Sequence, residues 1–445
     1  MANSASYPRP AYAWYCLSII CFAYLFGFMD RIIVGLLTPA IQADLGLTDS
    51  QMGIIQGLAF AVFYVLFGLP IGLMADRTNR KRLLTVGTVI WSLFTAAAGF
   101  ARGFWGLFGA RAGVGIGEAT LNPCATSLIG DYFEPKTRPK AFGIYTMSTA
   151  FGTGLTYVLG GALIGFVGVG VANTFEMPIL GTIPAWQAVF IIIGIAGLTP
   201  AVLMALTVKE PARQEVVTGS SKPGWPEIRA FLKLNRTTLI CHHFGVAFII
   251  MAVYGWVNWL PSMFQRVHGW GIPQFSIYYG IFGGITGIIS AISSGYVTNW
   301  FKRRGHTDGA MRTVLIGGIG LTIGTSVAPL LPTPELTLAG FVLAGIFANY
   351  PPAQALAAIA EVTPNQLRGI VTAIYILVIG IGGAGLGPFA MGWVTDNVFK
   401  DPQSIHYSMA LVTVVMGILG VALIAYGLKA FRGSVARADW AETEA

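Results

Sequence analysis

Four ionisable residues lie deep inside long apolar runs: Asp30, Arg31, Arg111 and Glu118. A charge placed in hydrocarbon is costly, so each is a functional-site candidate by default. A carboxylate beside an arginine stays ionised, whereas one left alone in a low dielectric tends to hold its proton. If Asp30 and Glu118 exchange the company of Arg31 or Arg111 between two states of the chain, each state binds the proton differently. Proton movement is then coupled to whatever else moves. The plainer alternative is a permanent ion pair, such as Asp30 with Arg111, that only fixes packing.

The elements that carry these residues follow from composition. Of 445 residues 55% are hydrophobic and only 10% charged, against roughly 25% charged in a soluble domain. Such a chain has lipid as its solvent. Apolar runs of about 20 residues, enough to cross a bilayer core as helix, recur along the whole length. They are continuous and rich in Gly and Leu, unlike the short alternating segments of a β-barrel. The expectation is an all-α integral membrane protein with twelve transmembrane helices. Helices one to six fall at about 13–38, 50–75, 83–101, 104–131, 138–167 and 187–207, and helices seven to twelve at about 237–262, 274–299, 312–331, 336–361, 368–394 and 406–429. A rise of 1.5 Å per residue brings Asp30 and Arg111 to a shared depth, with Glu118 two turns beyond Arg111 on the same face.

The net charge of +8 suggests nucleic acid only until the cations are placed. Nearly all Lys and Arg fall in loops on one side, leaving Arg102, Arg266 and Lys400 on the other. That asymmetry is the positive-inside rule. It puts both termini in the cytoplasm of a cell-membrane protein and removes the need for a nucleic-acid partner. Cys16, Cys21, Cys124 and Cys241 lie in apolar helix without metal-ligand spacing and read as small packing residues. No metal cluster, nucleophile–base set or phosphate loop is found, so the expectation is a chain without cofactor and without enzymatic chemistry.

The chain also repeats. Gly72-Leu73-Met74-Ala75-Asp76-Arg77-Thr78-Asn79-Arg80-Lys81-Arg82 has a second version at Gly295-Tyr296-Val297-Thr298-Asn299-Trp300-Phe301-Lys302-Arg303-Arg304, and the stretch Asp131 to Arg138 has an echo in Glu361 to Arg368. Two six-helix bundles follow, 1–207 and 237–445, joined by a polar cytoplasmic linker at 208–236 whose later part reads as a short surface helix. Parallel repeats of this kind suit a solute path at the repeat interface.

Gly72-x-x-x-Asp76-Arg77-x-x-Arg80-Lys81-Arg82 resembles the loop signature of the major facilitator superfamily. Arg111-x-x-x-Gly115-x-Gly117 resembles its helix-four motif, and Gly383-x-x-x-Gly387-Pro388-x-x-x-Gly392 its antiporter-type motif. Asp30-Arg31 with Gly115-Ile116-Gly117-Glu118-Ala119 looks like the Spinster group. The resemblance implies two pseudo-symmetric bundles that rock between inward and outward states, and export of a sphingolipid- or lysophospholipid-like amphipathic solute in exchange for protons. A drug, small organic anion or sugar-acid carrier of the same fold is the alternative. The motif also offers a cytoplasmic latch, which the superfamily resemblance implies favours the form closed to the cytoplasm. Asp76 would receive the N-terminal dipole of helix eleven at Arg368, Arg80 would reach Asp131, and Gly72 would open the motif.

A cavity wall of sparse polar groups among aromatics, Tyr254, Trp256, Asn258, Tyr278, Asn349 and Tyr350, suits an amphipathic ligand. The amide of Asn349 needs a partner wherever it lies. Pro351 and Pro352 break helix ten locally. His242-His243 reads as interfacial and solvated. The expected partners are the solute, protons and membrane lipids, with the protein working as a monomer.

Overall fold

A computed structural model describes residues 7–170, 173–214 and 224–439. The chain forms two compact units, Met1–Thr218 with Trp270–Gly284, and Gly219–Gly269 with Ile285–Ala445. The early turns of helix eight therefore group with the first unit, where the sequence boundary puts all of that helix in the second. Ten of the helical spans among the described residues are long and apolar enough to cross a bilayer by themselves. Helices three and four complete the expected twelve. The first opens with Arg80-Lys81-Arg82, and the second is interrupted part-way.

In the first unit, helix one is Pro10–Leu45, helix two Asp49–Arg77, helix three Arg80–Ala98, helix five Arg138–Val167 and helix six Ala185–Thr207. Helix three packs against helices four and six at backbone distance. A Cβ at Gly117 would stand 2.6 Å from the Trp91 nitrogen, and one at Gly194 only 2.4 Å from that of Ala96. Small residues are what let membrane helices approach this closely. Cys16 and Cys124 lie fully buried in the core of this unit, as packing residues.

Two local departures from regular helix shape the interior of this unit. Helix four, expected as one span, is Phe104–Glu118 followed by Leu121–Tyr132. Pro123 has no N–H to return to the Ala119 carbonyl, and the Thr120 hydroxyl turns back to the Gly117 carbonyl at 2.8 Å. The break leaves Glu118 as the last residue of its helical piece. Helix two widens into a π turn at Ile54–Leu58, the kind of bulge often found at functional sites. Between helices five and six lies an element absent from the sequence reading, a small hairpin. Thr174–Met177 pairs antiparallel with Gly181–Pro184, turning at Gly181 with φ of 71°.

Helix eight is Ile272–Arg303, its early turns in the first unit and the rest in the second; in the second unit helix seven is Arg236–His268, helix nine Gly309–Leu330, helix eleven Asn365–Phe399 and helix twelve Ile405–Asp439. Helix ten divides into Pro334–Gly345 and Tyr350–Val362, as its paired prolines require. The Gly-rich stretch of helix eleven forms a π segment at Val378–Gly385. The amphipathic helix Trp225–Leu234 lays Phe231 and Leu232 on the core of this unit.

Asp308, just ahead of helix nine, accepts from Arg312 Nε at 2.7 Å and from Arg432 Nη1 of helix twelve at 2.8 Å. Burial alone would raise its pKa, but the two guanidinium hydrogen bonds outweigh burial and hold the group below the ordinary carboxylate value. A depressed folded-state pKa contributes stability that is present above the unfolded value of about 4 and is lost as pH falls through the folded value. Asp308→Asn is therefore expected to lower stability by about 1–3 kcal/mol at neutral pH. The gap to wild type should close in acid. Thermal unfolding in detergent across that pH range measures it.

Candidate functional site

The four interior charges meet in the first unit. Glu118 Oε2 accepts from Arg31 Nε at 2.8 Å and lies 2.6 Å from Nη2. The carboxylate side chain is 0% exposed and the guanidinium side chain 27%. One partner is sealed and the other keeps open surface. Arg111 does not form the ion pair with Asp30 that the sequence leaves open. Its Nη1 donates to the Asp30 backbone carbonyl at 2.9 Å. The reason is geometric. Successive helix residues diverge by about 100°, so Arg31 takes the face toward Glu118 while the Asp30 carboxyl turns toward Thr95 on helix three.

Phe60 of helix two binds the two cations together. The Arg31 guanidinium sits 4.6 Å and that of Arg111 5.3 Å from its ring centre. Tyr64 is 5.2 Å from Arg31. Cation–π contact stabilises positive charge where water is scarce. Around this core several buried polar atoms have no protein partner: Asp30 Oδ1, Glu118 Oε1, Arg111 Nε and Gln56 Oε1. Buried polar atoms are nearly always satisfied, so such a set marks a place for protons, water or a polar ligand. Gln56 is a site residue that the sequence reading missed. It occupies the π turn of helix two and donates to Thr38 Oγ1 at 2.7 Å. A second missed group is the chain Tyr145–Asn122–Tyr64. The Tyr145 hydroxyl donates to Asn122 Oδ1 at 2.8 Å and Asn122 Nδ2 to the Tyr64 hydroxyl at 3.0 Å. Pairs of polar residues on different helices carry no short-range signal, which is why neither was visible in one dimension.

At the loop motif the structure brings Arg80 to Asp131. Arg80 is 0% exposed, and it is held on its other side by Glu210, Nε to Oε1 at 2.7 Å. Glu210 also accepts from the Lys81 backbone N–H at 2.8 Å, placing a carboxylate on the positive end of helix three. Arg213 donates to the Ala75 and Thr78 carbonyls at 2.7 and 3.1 Å, closing the end of helix two. The start of the expected linker is thus a fixed strap rather than a free connection, because its charges complete the helix ends beside it. The residues 215–223 lie outside the described ones. Gly72 and Asp76 line an open groove of about 500 Å³ with Gly68, Leu69, Leu73, Pro123, Thr126 and Ser127.

In the repeated motif Lys302 pairs with Glu361 at 2.6 Å, but its side chain is 48% exposed. Exposed pairs contribute little. Arg368 folds back on the Ala360 carbonyl at 3.2 Å and on that of Thr363 at 3.4 Å.

The expected aromatic wall divides by burial. Tyr254 and Tyr278 are exposed, while Trp256 is buried and stacks on Phe341 with centroids 5.3 Å apart. Asn258 is buried and donates to the Tyr254 carbonyl of its own helix at 2.8 Å. Asn349 finds the partner its amide needs in the Gly287 carbonyl, 3.0 Å away. Tyr350 is buried and bonds Ser293 at 3.1 Å. In this structure Trp256, Asn349 and Tyr350 tie helices of the second unit together, while Asn258 bonds within helix seven. Tyr254 and Tyr278 keep free ring surface.

The family model of the Major Facilitator Superfamily matches residues 20–308 and 306–437. Hexuronate transporter of Bacillus subtilis (strain 168) is 25% identical over 433 residues, covering 91% of this chain and 96% of that protein. Protein spinster homolog 1 of Homo sapiens is 27% identical over 258 residues, 56% of this chain and 45% of that protein. Among solved structures, a bacterial homolog to the human lysosomal transporter Spinster, inward-facing and unoccupied, has a TM-score of 0.78 at 24% identity, covering 97% of this chain and 99% of that one.

Removing one member of a buried pair strands the other, whereas replacing both does not. Arg31→Met is expected to destabilise the protein by about 3 kcal/mol, and Arg31→Met with Glu118→Leu to recover most of that loss. Thermal unfolding of the two variants in the same detergent, beside wild type, checks the difference.

Proposed function

Because the chain belongs to the Major Facilitator Superfamily and is of the Spinster type, a membrane-spanning transporter with an alternating-access fold rather than an enzyme, we propose that it carries an organic anion together with a proton. The observation that supports this most is the unequal exposure of the Arg31–Glu118 pair. A solute carboxylate or phosphate can approach Arg31 from its open side. It competes there with Glu118 for the same guanidinium. Once Glu118 takes a proton it releases the cation, and a protonated carboxyl buried without water is tolerated where an unpaired carboxylate is not. Proton and anion are then held at the same time, and both cross in the same direction.

The exchange expected from the sequence requires solute and proton to compete for one group, as a cationic solute would compete for Glu118. An anion on Arg31 reverses that logic. Arg111 stays out of the solute's reach, held on helix one by the Asp30 carbonyl, and supports the positive potential of the site. Glu118 is the proton carrier in this scheme, and Asp30 a second buried carboxyl whose state follows that of Glu118.

For the rest of the solute, the aromatic surface around Arg31, formed by Phe28, Phe60 and Tyr64, favours an amphipathic molecule such as a lysophospholipid or related sphingolipid. A hydroxylated sugar acid is the second reading, favoured by the full-length similarity to a hexuronate transporter and by the hydroxyl-and-amide chain of Tyr64, Asn122 and Tyr145 beside the site. The protein is read as a monomer in the cell membrane with cytoplasmic termini.

Proteoliposomes carrying a pH dye, challenged with a lysophospholipid or with a hexuronate, test both parts. The solute carried should acidify the lumen it enters. Glu118→Gln should cut this proton flux at least tenfold while solute counterflow persists, and Arg31→Met should abolish both. Undiminished proton flux in Glu118→Gln would remove Glu118 from the coupling.

A further inference from the structure

The connection between helices five and six has no part in the proposed mechanism. Lys81 Nζ bonds the Ala205 carbonyl near the end of helix six at 2.9 Å, so that end of the helix lies beside Arg80 and the connection lies at the opposite end of the unit. From 141 to 208 the only charged residue is Glu176. A connection left wholly in water is normally richer in polar groups.

Its hairpin has two unlike faces. Phe175 pairs with Ile183 and Glu176 with Thr182, and alternate residues of a strand share a face. Phe175, Met177 and Ile183 form an apolar side that is half-buried, while Glu176 and Thr182 form a polar side that is exposed. The Phe175 ring centre stands 6.4 Å from that of Phe166, in the last turn of helix five. Phe166 is 78% exposed, so it points away from the bundle, where a membrane-crossing helix meets lipid. The apolar side of the hairpin therefore lies along the lipid perimeter.

The tip adds an independent observation. Ile179 is 104% exposed and Leu180 42%, so none of the described residues covers Ile179. It follows Pro178 with φ of 75°, where a tight turn normally has Gly or Asn. A β-branched residue in that conformation is an outlier, and such strain persists where the residue has a use. The use of a bare isoleucine side chain is to leave water.

We propose that the hairpin is a lipid-surface anchor: Ile179, Leu180 and Phe166 seat in the bilayer interface at the end opposite Arg80, while Glu176 and Thr182 face water. Asn173 makes the anchor act on both helices. Its Nδ2 donates to the Gly168 carbonyl at the end of helix five at 2.7 Å, and its own carbonyl accepts from the Ala185 N–H at the start of helix six at 2.9 Å. Seating the tip thus fixes the depth of two helix ends together. A second copy of the chain fits the tip less well, since three bare side chains fall far short of the roughly 800 Å² per partner that a stable interface buries.

Full-length protein in lipid nanodiscs, with Cys21→Ala to remove the one native cysteine that is not buried, accepts a nitroxide label at Ile179→Cys or at Thr182→Cys. Power-saturation EPR compares collisions with oxygen, which concentrates in lipid, and with a water-soluble nickel chelate. At position 179 oxygen accessibility should exceed chelate accessibility several-fold, and at 182 the order should reverse. A label at 179 reached mainly by the chelate places the tip in water, and one shielded from both reagents places it in a protein contact. Either result overturns the proposal. So does a lipid reading at both positions, because the label and not the hairpin would then have chosen its surroundings. The readout involves neither solute nor proton, so it stands apart from the carrier scheme.

Discussion

A fully buried carboxylate held against a guanidinium that keeps open surface is the constraint on which the first unit is built. Glu118 cannot stay charged there without Arg31, and Arg31 cannot bind anything else at full strength while Glu118 stays charged. In the proposed function the two groups alternate between two self-consistent states, the paired and ionised one seen here and one separated, with the carboxyl protonated and the cation engaged elsewhere. A machine that must link one binding event to another needs such a bistable element. Most of the surrounding structure serves to hold it. The break after Glu118 ends its helix at the site, the π turn of helix two brings Gln56 to Thr38, and Phe60 lies against both guanidinium groups.

At the loop between helices two and three the same chemistry is used for a different end. Arg80 is fully buried among Asp131, Glu210 and the Ser127 hydroxyl, with no open side for a ligand. It works as a rivet, joining helix three to the end of helix four and to the strap that follows helix six. In the second copy the ion pair to Glu361 comes from Lys302, one position before Arg303, the counterpart of Arg80; it is half-open and joins only two elements. The repeat has therefore kept the carboxylate end of the ion pair, moved its cation by one residue and left the pair more exposed. Duplicated sequence gives like scaffolds here and unlike fastenings.

The broad architecture was legible because the forces that set it are local. Apolar run length, loop charge and paired prolines each act within a few residues, and they placed the helices and the break in helix ten. The four interior charges stood out for the same reason, since any ionisable group in an apolar run is conspicuous. Their partners were less legible. Which arginine meets Glu118 depends on the rotation of helix one about its own axis, and a shift of one residue exchanges Asp30 for Arg31 on the facing side. Glu210 looked like part of a polar connection, because a carboxylate in a charged loop carries no mark of the helix end it will cap. Trp256 and Tyr254 belong to one aromatic run, yet one is packed against Phe341 and the other is exposed. Burial of that kind is settled by neighbours far away in sequence, and for the same reason His242 and His243, which are 2% and 4% exposed, read as solvated.

The central claim is that a proton and a solute anion occupy the site together. The most direct measurement is the number of protons taken up when the anion binds, obtained by calorimetric titration in buffers of different ionisation enthalpy, at a pH where Glu118 begins ionised. Wild-type protein should take up about one proton for each anion bound. Binding with no proton uptake, or with proton release, would contradict the account.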